Sequence, residues 1–130
     1  MKAPPKWAQD LMLDALLWWE SRGHIPPNPE LNWRRGSRSS SSGTAYETHK
    51  IVVTAGSNRI DQKLVLLHEL AHTMNPDEHH SIAFWDTAWA LYRRAKLPIR
   101  YCIKREKSYR VGAMVSYHRN RHITKEHSNG

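Results

Sequence analysis

Apolar positions along the chain gather into clusters whose spacing predicts distinct elements. Between Lys6 and Arg22, Trp7, Leu11, Ala15, Trp18 and Trp19 recur at three- and four-residue steps after Pro4-Pro5, with Gly23 placed to end the run; this is the period of an amphipathic helix. The PPNPE that follows carries three prolines, which forbid a helix and mark a connector. Three strand-like stretches come next: Leu31 to Arg38 around Trp33, Thr44 to Glu47, and the stronger HKIVVTAG of residues 49–56, with the β-branched Ile51, Val52 and Val53 in a row. With SRSSSSG (residues 37–43) as a hairpin turn rather than a linker, they predict a small three-stranded antiparallel sheet.

Downstream the helical period returns. Ser57 or Asn58 can cap a helix, and Asp61 stands in its first turn, where the helix dipole favours an acid. KLVLLHELAHTM then runs on until Asn75-Pro76 stops it. After the loop NPDEH a further helix is expected from about Ser81 to Leu97, with Trp85, Trp89 and Tyr92 on one core-facing side and Pro98 closing the element. Beyond Pro98 the period weakens: Tyr101 to Tyr117 can hold one more helix, and Asn120 to Gly130 is expected to be disordered. The order of elements gives an α+β fold class, with a single domain over residues 1–110 and a basic, partly disordered tail over residues 111–130.

Composition sharpens this picture. A chain of 130 residues with 39% apolar content suffices for one modest core, to which six tryptophans and five tyrosines bring large areas to bury. No apolar run approaches the length of a membrane span, and MKAPPKWAQD has prolines and an aspartate where a secretory signal is continuously apolar. The lone Cys102 forms no internal disulfide and excludes a four-cysteine zinc ribbon within this chain. A cytoplasmic, intracellular setting without membrane association is the expectation.

Charge is unevenly placed. Residues 1–92 carry nine Lys/Arg against ten Asp/Glu, whereas residues 93–130 carry eleven against two, so the whole excess of +8 lies downstream. The basic positions Arg93, Arg94, Lys96, Arg100, Lys104, Arg105, Lys107 and Arg110 form an electrostatic footprint suited to a phosphate backbone such as DNA, or else simply a solvated surface.

The candidate chemistry lies in HELAH. Histidines four apart on a helix share a face, so His68 and His72 can reach one ion, and Glu69 projects to the side, where a carboxylate can take a proton from water. Two nitrogen ligands, a third from elsewhere, an open fourth position and a general base make up a zinc hydrolase. Just past the loop stand the third-ligand candidates. His80 is favoured, His79 is the alternative about 100° round the turn, and Glu78 is weaker. His24, His49, His118, His122 and His127 lack supporting spacing and read as surface residues.

The succession of helix, Trp-containing strand, Ser-Gly turn, IVVTAG strand, LLHELAH helix and HSIAFW helix resembles the SprT-like zinc metallopeptidases, the family that includes Spartan. It is similar also to the YgjP-like group, where a histidine precedes a Ser-x-x-Phe-Trp run. The likeness covers about residues 5–110, its specific part being His68 to Trp85. It implies a small zincin-like (minigluzincin) core with one Zn2+ on His68, His72 and His80, Glu69 as the catalytic base, and a protein or peptide substrate paired with an edge strand, for which residues 49–54 are the candidate. It also implies possible action on DNA-bound proteins, with the basic segment in place of the missing ribbon.

Tyr46, His49, Tyr101 and Tyr109 remain open as oxyanion stabilisers. Two other functions compete with the peptidase. One is a metal-dependent ribonuclease of the YbeY type, which typically has glycine at the position of Glu69. The other is a nucleic-acid-associated binding protein whose zinc is closed off by His68, His72, His79 and His80 together.

Overall fold

The computed structural model describes residues 3–35, 43–46, 50–55, 58–76, 79–106 and 111–120. They form helix α1 (Lys6–Ser21), strands β1 (Glu30–Arg35), β2 (Gly43–Tyr46) and β3 (Lys50–Ala55), and helices α2 (Arg59–Met74), α3 (Ile82–Arg94), α4 (Ile99–Glu106) and α5 (Val111–Arg119). The class is α+β.

The sheet differs from the expected antiparallel one. Its order is β1-β3-β2, with β1 parallel to β3 from Glu30↔Lys50 to Arg35↔Ala55, and β2 antiparallel to β3 from Gly43↔Val53 to Tyr46↔Lys50. β3 is therefore the central strand, not the edge expected for residues 49–54. The physical reason is visible in Ile51, Val52 and Val53: consecutive strand residues point to opposite faces, and all three are buried, so both faces of β3 are covered. Three apolar residues in a row mark a strand inside a sheet. β1 joins the far side of β3, and its Trp33 meets Trp7 of α1 edge to face, ring centroids 5.6 Å apart.

Helix α2 is the central element. Asn58 caps it by accepting a 2.8 Å hydrogen bond from the Asp61 amide, and every residue from Leu64 to Ala71 is buried. Leu64, Leu66, Leu67 and Leu70 fill the space between sheet and α3, and truncating one such leucine to alanine costs about 2–5 kcal/mol. His68 and Glu69 lie inside this apolar stretch, where polar side chains require partners.

Ser81 caps α3, its hydroxyl accepting from the Phe84 amide at 3.2 Å. Phe84, Trp85, Trp89 and Tyr92 are completely buried on the inner face of α3. The helix foreseen between Tyr101 and Tyr117 is two helices. α5, within the residues assigned to the tail, packs on α3: Ala113 and Ser116 are fully buried, and Trp89 Nε1 donates to the Ala113 carbonyl at 2.9 Å. Asp86 gathers the Ser116 hydroxyl, the Asn120 amide and the Arg119 guanidinium. The packed structure thus reaches Asn120, beyond the boundary expected at residue 110; the rest of the tail, residues 121–130, lies outside the described residues. Among the described residues no helix is long and apolar enough to cross a membrane.

Candidate metal centre

Side chains from α2 and from the turn before α3 converge on one point. His68 and His72 project from the same face of α2, and His80, one residue ahead of the Ser81 cap, swings its ring toward both. His80 Nε2 lies 3.2 Å from His72 Nε2 and 3.3 Å from His68 Nε2, and one ligand atom from each of the three lies within 4.8 Å of the others. Nitrogens bound tetrahedrally at about 2.0–2.1 Å from a zinc-sized ion stand roughly 3.3–3.4 Å apart. The observed spacings match that edge length, so the three residues fit a metal ion.

An aromatic floor sets the ring orientations. Phe84 touches all three imidazoles, stacked on His72 at 4.3 Å and edge to face with His68 and His80, both at 5.1 Å. Trp85 stacks on His80 at 5.7 Å and 22°. The Ser-x-x-Phe-Trp run thus has a structural meaning: the serine caps the helix, and the two aromatics hold the ligand rings. Trp89, one turn further along α3, lies against α5.

Electrostatics keep nitrogen lone pairs available. Burial first, and then the neighbouring histidines, lower the His72 pKa to about 3. His80 is lowered too, chiefly by burial and by His68, against an opposing pull from Glu106. Neutral imidazole is the ligating form. Glu69 is only 8% exposed, and its burial, with a smaller push from Glu106, raises its pKa against the lowering influence of His68. A carboxylate so placed is a stronger base than one in water.

The structure separates the alternatives. His79 is exposed in the left-handed region, φ 42°, and is not in the three-histidine group; Glu78 lies outside the described residues. Tyr101 donates to Asp61 at 2.7 Å, seven residues or about 10 Å up α2 from His68, so it does not serve the centre. His49, Tyr109 and the Tyr46 side chain are outside the described residues. His24 stacks on Trp19 at 3.8 Å, and His118 is exposed on α5; His122 and His127 are not described.

The basic positions are dispersed. Arg94 forms a two-pronged pair with Asp14 of α1, Arg105 pairs with Asp61 at 2.7 Å, and Arg93 is half-buried. Lys96, Arg100 and Lys104 are exposed, and Lys107 and Arg110 are outside the described residues.

Sequence reasoning missed Glu106. This residue of α4 is 3% exposed, and its Oε2 lies 2.7 Å from His68 Nδ1 and accepts a 2.7 Å hydrogen bond from the Tyr92 hydroxyl. The one available signal was compositional: Glu106 is the only acid between Asp86 and Glu126, one turn after the apolar Cys102.

Comparison with known proteins found no matching family model, curated protein or solved structure.

Proposed function

We propose that the chain is a zinc-dependent peptidase of the SprT-like kind, with His68, His72 and His80 holding the ion and Glu69 as general base. The observation that carries this reading is the convergence of His68 and His72 on His80 Nε2, at 3.3 and 3.2 Å, beside a buried carboxylate one residue from the first ligand. When bound, zinc supplies Lewis acidity, polarising a carbonyl and bringing the pKa of coordinated water to about 7. Glu69 takes the proton from the attacking water and returns it to the leaving amine. Its raised proton affinity suits it to both tasks near neutral pH.

Peptide recognition follows from the sheet. With β3 interior, the edge strand beside α2 among the described residues is β2, where backbone pairing would give affinity without demanding one sequence. Glu69 favours peptide over phosphodiester hydrolysis, and among the described residues His79 is not part of the three-histidine group. We extend the reading to substrates held on DNA, with Lys96, Arg100 and Lys104 as the described exposed cations that could meet phosphates.

The test is Glu69→Gln. The variant is expected to bind one zinc per chain, as wild type does, and to lose casein hydrolysis by at least a hundredfold. Turnover retained in the variant would remove Glu69 from its role, and wild-type protein that binds zinc without cleaving any peptide would end the peptidase reading.

A further inference from the structure

A carboxylate arriving from a helix that is otherwise basic raises the question of what it does in the interior. Glu106 is flanked by Arg105 and preceded by Lys104, both exposed, yet its own side chain is among the most buried polar groups described. Burying an ionisable carboxyl is costly unless donors and positive charge meet it. Its Oε2 meets two groups, both at 2.7 Å: the hydroxyl of the fully buried Tyr92 and the Nδ1 of His68.

We infer that Glu106 is the positioning carboxylate of the metal centre: it fixes His68 in the tautomer with the proton on Nδ1 and turns the Nε2 lone pair toward His72 and His80. The inference rests on the metal-site reading above and concerns this chain's own residues. An imidazole nitrogen 2.7 Å from an ionised carboxylate oxygen carries the proton, since two lone pairs would otherwise face each other, and the Tyr92 hydroxyl donating to the same Oε2 suits that oxygen as an acceptor. The Tyr92 hydroxyl, 3.5 Å from the same Nδ1, is too far to compete for it. It donates instead to Glu106, which holds the carboxylate in place from the α3 side. With the Nδ1 proton so fixed, Nε2 is left as the ligating atom, and it is the atom 3.3 Å from His80 Nε2. The carboxylate also sends negative charge through the ring and raises its basicity toward a cation. Such partners of a ligating histidine contribute about 10–100-fold in metal affinity.

Aromatic rings bear on the other two imidazoles. Phe84 stacks on His72 and Trp85 on His80, and an aromatic face sets a ring's plane without choosing its tautomer. His68 is also the most buried of the three, where water cannot serve as the outer partner. α4 therefore belongs to the centre: Tyr101 and Arg105 tie it to Asp61 at the start of α2, and Glu106 delivers the charge.

The experiment pairs zinc affinity with tautomer. Zinc dissociation constants are measured by chelator competition for wild type, Glu106→Gln, Glu106→Asp and Tyr92→Phe, with the visible spectrum of each cobalt-substituted form. Histidine 15N shifts are recorded on the metal-free wild type.

Glu106→Gln is expected to weaken zinc about 10–100-fold and shift the cobalt bands, with metal-free Tm held or raised because a buried charge is gone. Glu106→Asp should recover part of the loss, and Tyr92→Phe should cost less than Glu106→Gln. His68 should show the Nδ1–H tautomer in wild type. Unchanged zinc affinity and cobalt spectrum in Glu106→Gln, or an Nε2–H tautomer of His68, would overturn the inference. The tautomer result stands even where a variant fails to fold. Neither readout uses peptide cleavage, so wild type that binds zinc and shows these effects but cleaves nothing would sink the peptidase and leave Glu106 in place.

Discussion

Removing His80 offers a quantitative check on the metal centre, because this residue can be lost with little harm to the core. It lies ahead of α3 with an exposed side, and its contacts include the two other histidines, Phe84 and Trp85. Truncation to alanine should cost the metal-free protein about 1 kcal/mol or less. Its effect on the zinc-bound protein should be far larger. Zinc at a hundred times its dissociation constant stabilises the folded state by RT ln(1 + [L]/Kd), about 2.7 kcal/mol. For a chain of 130 residues the unfolding entropy is about 0.27 kcal/mol/K, so that gain appears as a rise in Tm of about 10 °C. With one of three ligands gone, a site weakened a hundredfold would gain only RT ln 2 at the same zinc concentration, about 0.4 kcal/mol and 1–2 °C.

The assay is differential scanning calorimetry of wild type and His80→Ala, each with and without zinc. The comparison within each variant cancels the small structural cost of the mutation. An equal zinc-induced rise in both proteins would refute the assignment of His80 and return the third ligand to His79 or Glu78.

Other expectations follow from the same geometry. Burial lowers the His72 pKa from its ordinary 6.5 to about 3, so below pH 6.5 the unfolded chain binds a proton that the folded one refuses. Stability of the metal-free protein should therefore be full above pH 6.5 and fall as pH drops toward 3, with a shallower decline in His72→Gln; an identical acid profile for the two would exclude His72 as a source. Cys102 is fully buried, and burial, reinforced by the Glu106 charge, pushes its thiol up to about 12, so an aromatic disulfide reagent at about pH 8 should leave it untouched in native protein and label it in urea. If Lys96, Arg100 and Lys104 are the cations that meet duplex DNA, log affinity should fall with log salt at a slope of about −2.7, and replacing one of them by glutamine should reduce the slope by about 0.9. A slope near zero would remove the DNA-linked part of the proposed function.

What the sequence made legible was local. α1, α2 and α3 stood out because each has an apolar stripe at helical spacing and a chemical start or stop, and Asn58 and Ser81 do cap α2 and α3. His68 and His72 were readable for the same reason, since positions i and i+4 of a helix share a face by geometry alone, whereas His80 was reached only as one of several candidates just past the loop. Strand order was not legible. It depends on which edge of β3 receives β1, a choice tied to contacts between distant segments such as Trp7 with Trp33. α5 was obscure because it packs through small residues, Gly112, Ala113 and Ser116, and through Asp86, none of which registers as an apolar stripe. An added Cβ at Gly112 would come within 3.3 Å of the His80 carbonyl, so smallness there lets α5 approach the ligand-bearing turn. Glu106 was beyond reach for a similar reason: 38 residues separate it from His68.

The charges around the centre explain why those two distant segments meet. A divalent ion held by three neutral imidazole ligands would be expensive to bury on its own. Glu69 and Glu106, 8% and 3% exposed, are two buried carboxyl groups near the three histidines, and Glu106 adds to the upward push on the Glu69 pKa. Two ionised carboxylates would balance one dication, so an ion held above the Phe84 and Trp85 rings that pack on His68 would leave little net charge to hydrate. The two acids are not equivalent. Glu106 has its oxygen engaged by His68 and Tyr92 and is held in place, whereas Glu69, next to His68 in the chain, is the one to which the proposed function gives the proton exchange. On the proposed reading, Lys96, Arg100 and Lys104 are exposed among the described residues of the basic segment, while the acid that this segment contributes to the interior, Glu106, would serve the metal.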